Sequence, residues 1–92
     1  MDIYAQIAEK IIKSQEAIIG PVAVEQAEQV PNLKVDWINH KVSINGQGAR
    51  VIDVLVGRYQ DLFGQISVEV SKEAVHALIA ELNPDQLPHT LK

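Results

Sequence analysis

Residues 7–30, IAEKIIKSQEAIIGPVAVEQAEQV, return at residues 51–74 as VIDVLVGRYQDLFGQISVEVSKEA, without a gap and at a constant offset of 44. Gly20 falls on Gly64, Val24 on Val68 and Glu25 on Glu69. The apolar class is kept at Ile7 and Val51, Ile11 and Leu55, Ile12 and Val56, Ile18 and Leu62, Ile19 and Phe63, and Val22 and Ile66. Apolar residues spaced three and four apart describe one face of a helix. Each unit therefore reads as a helix, a break or bend at its glycine, and a further helical stretch.

Outside the two units the period changes. Asp2 suits a helix N-cap, and Ile3, Ile7, Ile11 and Ile18 then recur at helical spacing. Gly20-Pro21 reads as a plain break, glycine ending one helix and proline opening the next. Gln65 stands where the first unit has Pro21, so the second helix is free to run through Gly64 with only a bend. After Pro31-Asn32, Leu33, Val35 and Trp37 alternate with Lys34 and Asp36, and Val42 and Ile44 alternate with Lys41 and Ser43. That period of two is a β-hairpin signature. A two-residue loop at Asn39-His40 would set Trp37 opposite Val42 and Val35 opposite Ile44, with all apolar side chains on one face. Gly57, inside the third helical stretch, suggests a close helix crossing.

The expected fold is thus α+β: a kinked helical unit, a central β-hairpin and a second kinked helical unit. A single domain covers residues 1–82, with repeat units 7–30 and 51–74 and a hairpin at 33–45. Residues 83–92, DQLPHTLK at their core, have no periodicity and read as a flexible C-terminal tail.

Ninety-two residues allow one domain near the low end of what a single core stabilises unaided. Apolar residues make up 47% but aromatic ones only 4%, so the core must be aliphatic, and a second copy is an expected way to bury more of it. A net charge of −4 with no basic run argues against a nucleic-acid partner. No cysteine is present, which removes disulfides, thiolate metal sites and cysteine nucleophiles. No stretch approaches the roughly 20 apolar residues of a membrane span, and the first residues lack the pattern of a signal peptide. No membrane partner is expected, and cytoplasm is the expected compartment.

Few residues suggest chemistry. Gly46, Gln47, Gly48 and Arg50 stand at the mouth of the third helix, where free N–H groups and the helix dipole favour a small anion. The loop lacks the lysine and hydroxyl residue of a phosphate-binding P-loop. Glu25 and Glu69 occupy matched positions and would approach one another, or Arg50, Arg58 or Lys72, if a twofold relates the units. Trp37 and Tyr59 are of the type enriched at interfaces. His40, His76 and His89 have no metal-ligand spacing, so neither metal nor cofactor is expected. No catalytic set emerges. The expectation is a non-catalytic interaction or adaptor module whose partner is another protein or a second copy of itself. The alternative is a sensor binding an anionic metabolite at residues 45–50.

Overall fold

The computed structural model describes residues 2–92. Helix α1 spans Ile3–Ile19 and α2 spans Val22–Glu28. Strands β1 (Leu33–Asp36) and β2 (Lys41–Ile44) form a two-stranded antiparallel sheet. Helices α3 (Gly48–Phe63) and α4 (Gln65–Ile79) follow, and two 3₁₀ turns, Pro84–Gln86 and His89–Leu91, end the chain. The α+β layout read from the sequence is the one observed.

Local chemistry explains the boundaries. The Asp2 side chain accepts the Tyr4 backbone N–H at 2.9 Å and starts α1. Gly20 ends α1 at φ 74° and ψ −157°, and its N–H donates to the Glu16 carbonyl at 2.9 Å. Gly64 ends α3 at φ 83° and ψ −170°, and its N–H donates to the Gln60 carbonyl at 2.8 Å. That backbone region is almost closed to residues with a Cβ. The second helix therefore does not run through Gly64. The glycine alone breaks it, and no proline is needed.

The first helix of each unit buries the same positions. Ile7, Ala8, Ile11, Ile12 and Gln15 are the buried residues of α1, and Val51, Ile52, Leu55, Val56 and Tyr59 are those of α3. Each member of the second set lies 44 residues beyond its counterpart in the first. Ala23 and Ala27 of α2 correspond in the same way to the buried Ser67 and Ser71 of α4. Large aliphatic side chains of this kind each stabilise the fold by about 1.5–3 kcal/mol when fully buried. Gly57 marks no close crossing: a Cβ built on it would meet nothing within 4 Å.

The hairpin register differs from the expected one by two residues. Leu33 lies opposite Ile44, Val35 opposite Val42 and Asp36 opposite Lys41. Trp37–Asn39 leave the strand as a 3₁₀ turn, and His40 closes the loop in the left-handed region at φ 52° and ψ 42°. A slip of two keeps every side chain on its face, so the apolar face survives the correction. Residues 83–92, expected to be flexible, lie against the helices. Pro88 and Leu91 are buried, and the Tyr4 hydroxyl donates to the Gln86 carbonyl at 2.8 Å.

Candidate functional site

Three buried hydrogen bonds, from two side chains, fasten the glycine elbows to each other. Gln15 Nε2 donates to the Ser67 carbonyl at 3.1 Å and to Ser71 Oγ at 3.2 Å. The Tyr59 hydroxyl donates to the Ala23 carbonyl at 2.6 Å. Ile18 follows Gln15 by one helical turn and Ile66 immediately precedes Ser67, while Leu62 and Val22 stand in the same relation to Tyr59 and Ala23. These four side chains point outward: Ile18 is 62% exposed, Val22 40%, Leu62 54% and Ile66 66%. Ile19 and Phe63, their neighbours, pack partly on the core and hold the elbows in place. Ala17, Pro21 and Gln65 are exposed beside them and uncharged, while the exposed carboxylates of Asp61, Glu25 and Glu69 lie one to three residues from Leu62, Val22 and Ile66. Exposed aliphatic side chains beside the glycine breaks offer apolar area to a protein contact.

The loop expected to bind an anion is built as a tight turn. Gly46 has φ 98°, and Gly48 lies against the ring of Tyr4, where a Cβ would collide with it. Arg50 is exposed between two surface hollows. One, of about 380 Å³, is lined by Pro31, Asn32, Gln47, Val51 and Val54 as well as Arg50. The other, of about 560 Å³, is lined by Arg50 and Lys92 and by the carboxylates of Asp53 and Asp85, which offset them.

The remaining candidates separate. Glu25 and Glu69 are both exposed, and Glu69 accepts a hydrogen bond from Gln65 at 3.1 Å. Arg58 turns to Gln26 and Gln29, at 2.9 and 2.8 Å, rather than to either glutamate, and its Nε is buried without a partner. Tyr59 is fully buried, so it is a core residue and not a contact surface. Burial first, and the nearby Glu16 carboxylate second, push its phenol far above the ordinary value. Trp37 is half-buried, its indole N–H donates to Glu16 Oε2 at 3.1 Å, and its ring tilts against His40 with centroids 5.0 Å apart. Among the described residues no group of three or more His, Cys, Asp or Glu could hold a metal ion. No helix among the described residues is long and apolar enough to cross a membrane.

Sequence reasoning missed Ile18, Val22, Leu62 and Ile66 as surface residues, because helical spacing assigns them to the core. The signal that could have found them is position: each lies within two residues of a helix-breaking glycine. No protein-family profile, curated protein or solved structure matches the chain.

Proposed function

We propose that this chain is a small, non-catalytic interaction module of the cytoplasm that acts as a homodimer and docks a partner protein on its elbow surface. The observation that carries this reading is the exposure of Ile18, Val22, Leu62 and Ile66 at the two glycine breaks, whose flanking helices Gln15 and Tyr59 tie together. Protein contacts draw most of their energy from a few residues at the centre of the buried patch. Each elbow presents an equivalent pair of anchors. The test is retention of a protein from an extract of the native host on immobilised wild-type chain and on the Ile18→Glu/Ile66→Glu variant. A specific partner held by the first and lost by the second, at unchanged melting temperature, supports the reading. Equal retention overturns it.

A second reading is favoured by the exposure of Arg50 beside the start of α3: a sensor for a small anionic metabolite held by Gly46, Gln47, Gly48 and Arg50. A thermal shift with phosphate or small organic acids that disappears in Arg50→Ala would support it. No shift at millimolar ligand rules it out.

A further inference from the structure

The hairpin is a sheet of two strands with both outer edges unpaired, and its register says which backbone groups are free. Asn45 donates its N–H to the Asn32 carbonyl at 2.9 Å, so residues 32 and 45 form a hydrogen-bonded pair. Such pairs alternate along an antiparallel ladder. With Leu33 opposite Ile44, the bonded pairs are therefore Lys34 with Ser43 and Asp36 with Lys41. Val35 and Leu33 turn their backbone groups to the outer edge of β1, and Val42 and Ile44 turn theirs to the outer edge of β2. Both edges belong to strands of only four residues in a sheet of only two, which is marginal in water.

The β2 edge borders a groove of about 320 Å³ lined by all four β2 residues and by Asp2, Ala5 and Glu9 beside them. An open edge in such a groove takes an extended strand. Resting on the homodimer reading above, we propose that the strand is β2 of a second copy, paired antiparallel about a twofold axis through Ser43. In that register Val42 of each chain faces Ile44 of its partner. Each of the two pairs exchanges two N–H to carbonyl bonds, so four bonds form and every free backbone group of β2 is used. Val42 and Ile44, both half-buried in one chain, meet their counterparts on the apolar face and extend it. Lys41 falls opposite Asn45, without like charges in contact.

Charge separates this edge from the other. The corresponding pairing of two β1 strands centres on Lys34 and sets two lysines directly opposite, which is destabilising. The Leu33 N–H at that edge also already donates to the Val30 carbonyl at 3.3 Å. The β2 edge has neither obstacle.

The test uses the absence of cysteine from the chain. Ser43 would lie opposite its own copy in a non-hydrogen-bonded pair, with Cα atoms about 4.5 Å apart, inside the range a disulfide spans. Ser43→Cys should cross-link to a covalent dimer on mild oxidation at least ~10-fold faster than Lys41→Cys, which is exposed on the same face of β2 but two residues from the proposed axis. Val42→Pro removes an N–H that points away from β1, so the hairpin is kept while the dissociation constant rises about 10-fold or more. Light scattering of the wild type across a concentration series reports whether any dimer exists. A dimer by scattering with equal cross-linking of the two cysteine variants overturns the Ser43 register and leaves the homodimer standing. A monomer at every concentration overturns both.

Discussion

Gln15 and Tyr59, 44 positions apart, make the same connection in opposite directions. Gln15 of α1 donates to the Ser67 carbonyl of α4, and Tyr59 of α3 donates to the Ala23 carbonyl of α2. Ala23 and Ser67 are themselves 44 apart. Exchanging the two units maps one bond onto the other, which is the relation a twofold axis imposes on an isologous contact. A glutamine and a tyrosine share little except a donor at the end of a side chain, and that donor is what the position uses.

Removing the donor while keeping the volume isolates its worth. Tyr59→Phe should lower unfolding free energy by about 1 kcal/mol, since the Ala23 carbonyl keeps its place in the helix. Tyr59→Ala should cost about 3–5 kcal/mol, because it also empties a fully buried site. Urea denaturation measures both, and an unchanged slope confirms that the unfolded state is the same. Equal losses in the two variants would assign the whole effect to the hydrogen bond, and no loss in Tyr59→Phe would assign it to packing.

The pH dependence follows from the same phenol. In the folded chain Tyr59 holds its proton above the pH at which an unfolded tyrosine, with an ordinary pKa near 10, releases it. The folded state then binds more protons than the unfolded one, so this contribution is fully present below about pH 10 and falls as pH rises beyond it, by up to ~1.4 kcal/mol per pH unit. Denaturation between pH 8 and pH 11 should show a steeper alkaline loss in the wild type than in Tyr59→Phe. Parallel curves would mean that the buried phenol is not the group responsible.

Three glycines should respond in opposite directions. Gly64→Ala places a Cβ at φ 83° and ψ −170° and should cost about 1–3 kcal/mol, and Gly20→Ala, at φ 74° and ψ −157°, should cost a similar amount. Gly57→Ala lies in mid-helix with open space around the new Cβ, and should stabilise by up to about 1 kcal/mol. Thermal melts of the single variants decide the signs.

What the sequence reveals of this fold depends on the range of the signal. The change of period after Pro31 marks the hairpin, and the burial of Ile7, Ile11, Val51 and Leu55 follows from helical spacing. Loop length does not follow, because Trp37 continues the alternation of Leu33 and Val35 and a slip of two leaves the faces unchanged. The Trp37 indole still turns inward, to Glu16, after the strand has ended. The break at Gly64 depends on a positive φ that residue identity permits but does not announce. Tyr59 carries an interface-type side chain into the core because Ala23, 36 residues earlier, offers it a carbonyl. No local pattern contains that partner. The same holds for Glu25 and Glu69, whose shared position in the repeat says nothing of which way they face.

Asp53 is the clearest case of a long-range partner, and it carries the last prediction. Its Oδ1 accepts the Thr90 backbone N–H at 2.9 Å and the Thr90 hydroxyl at 2.8 Å, and its Oδ2 accepts the His89 N–H at 3.2 Å. A carboxylate on α3 thereby caps the 3₁₀ turn His89–Leu91, which has no cap from its own side chains. The capped turn seats Leu91 in the core cluster. Asp53→Ala should therefore cost about 1–2 kcal/mol through the lost cap. Truncation after Leu82 should cost more, about 2–4 kcal/mol, because it also opens the space that Leu91 fills. Asp53→Ala should speed proteolytic removal of residues 83–92, while the same protease leaves the wild-type segment in place until global unfolding. Urea denaturation and timed proteolysis followed by mass spectrometry measure the two effects. A truncated chain as stable as the full one would return the segment to the flexible tail that its composition suggests, and would detach Asp53 from any role in holding it.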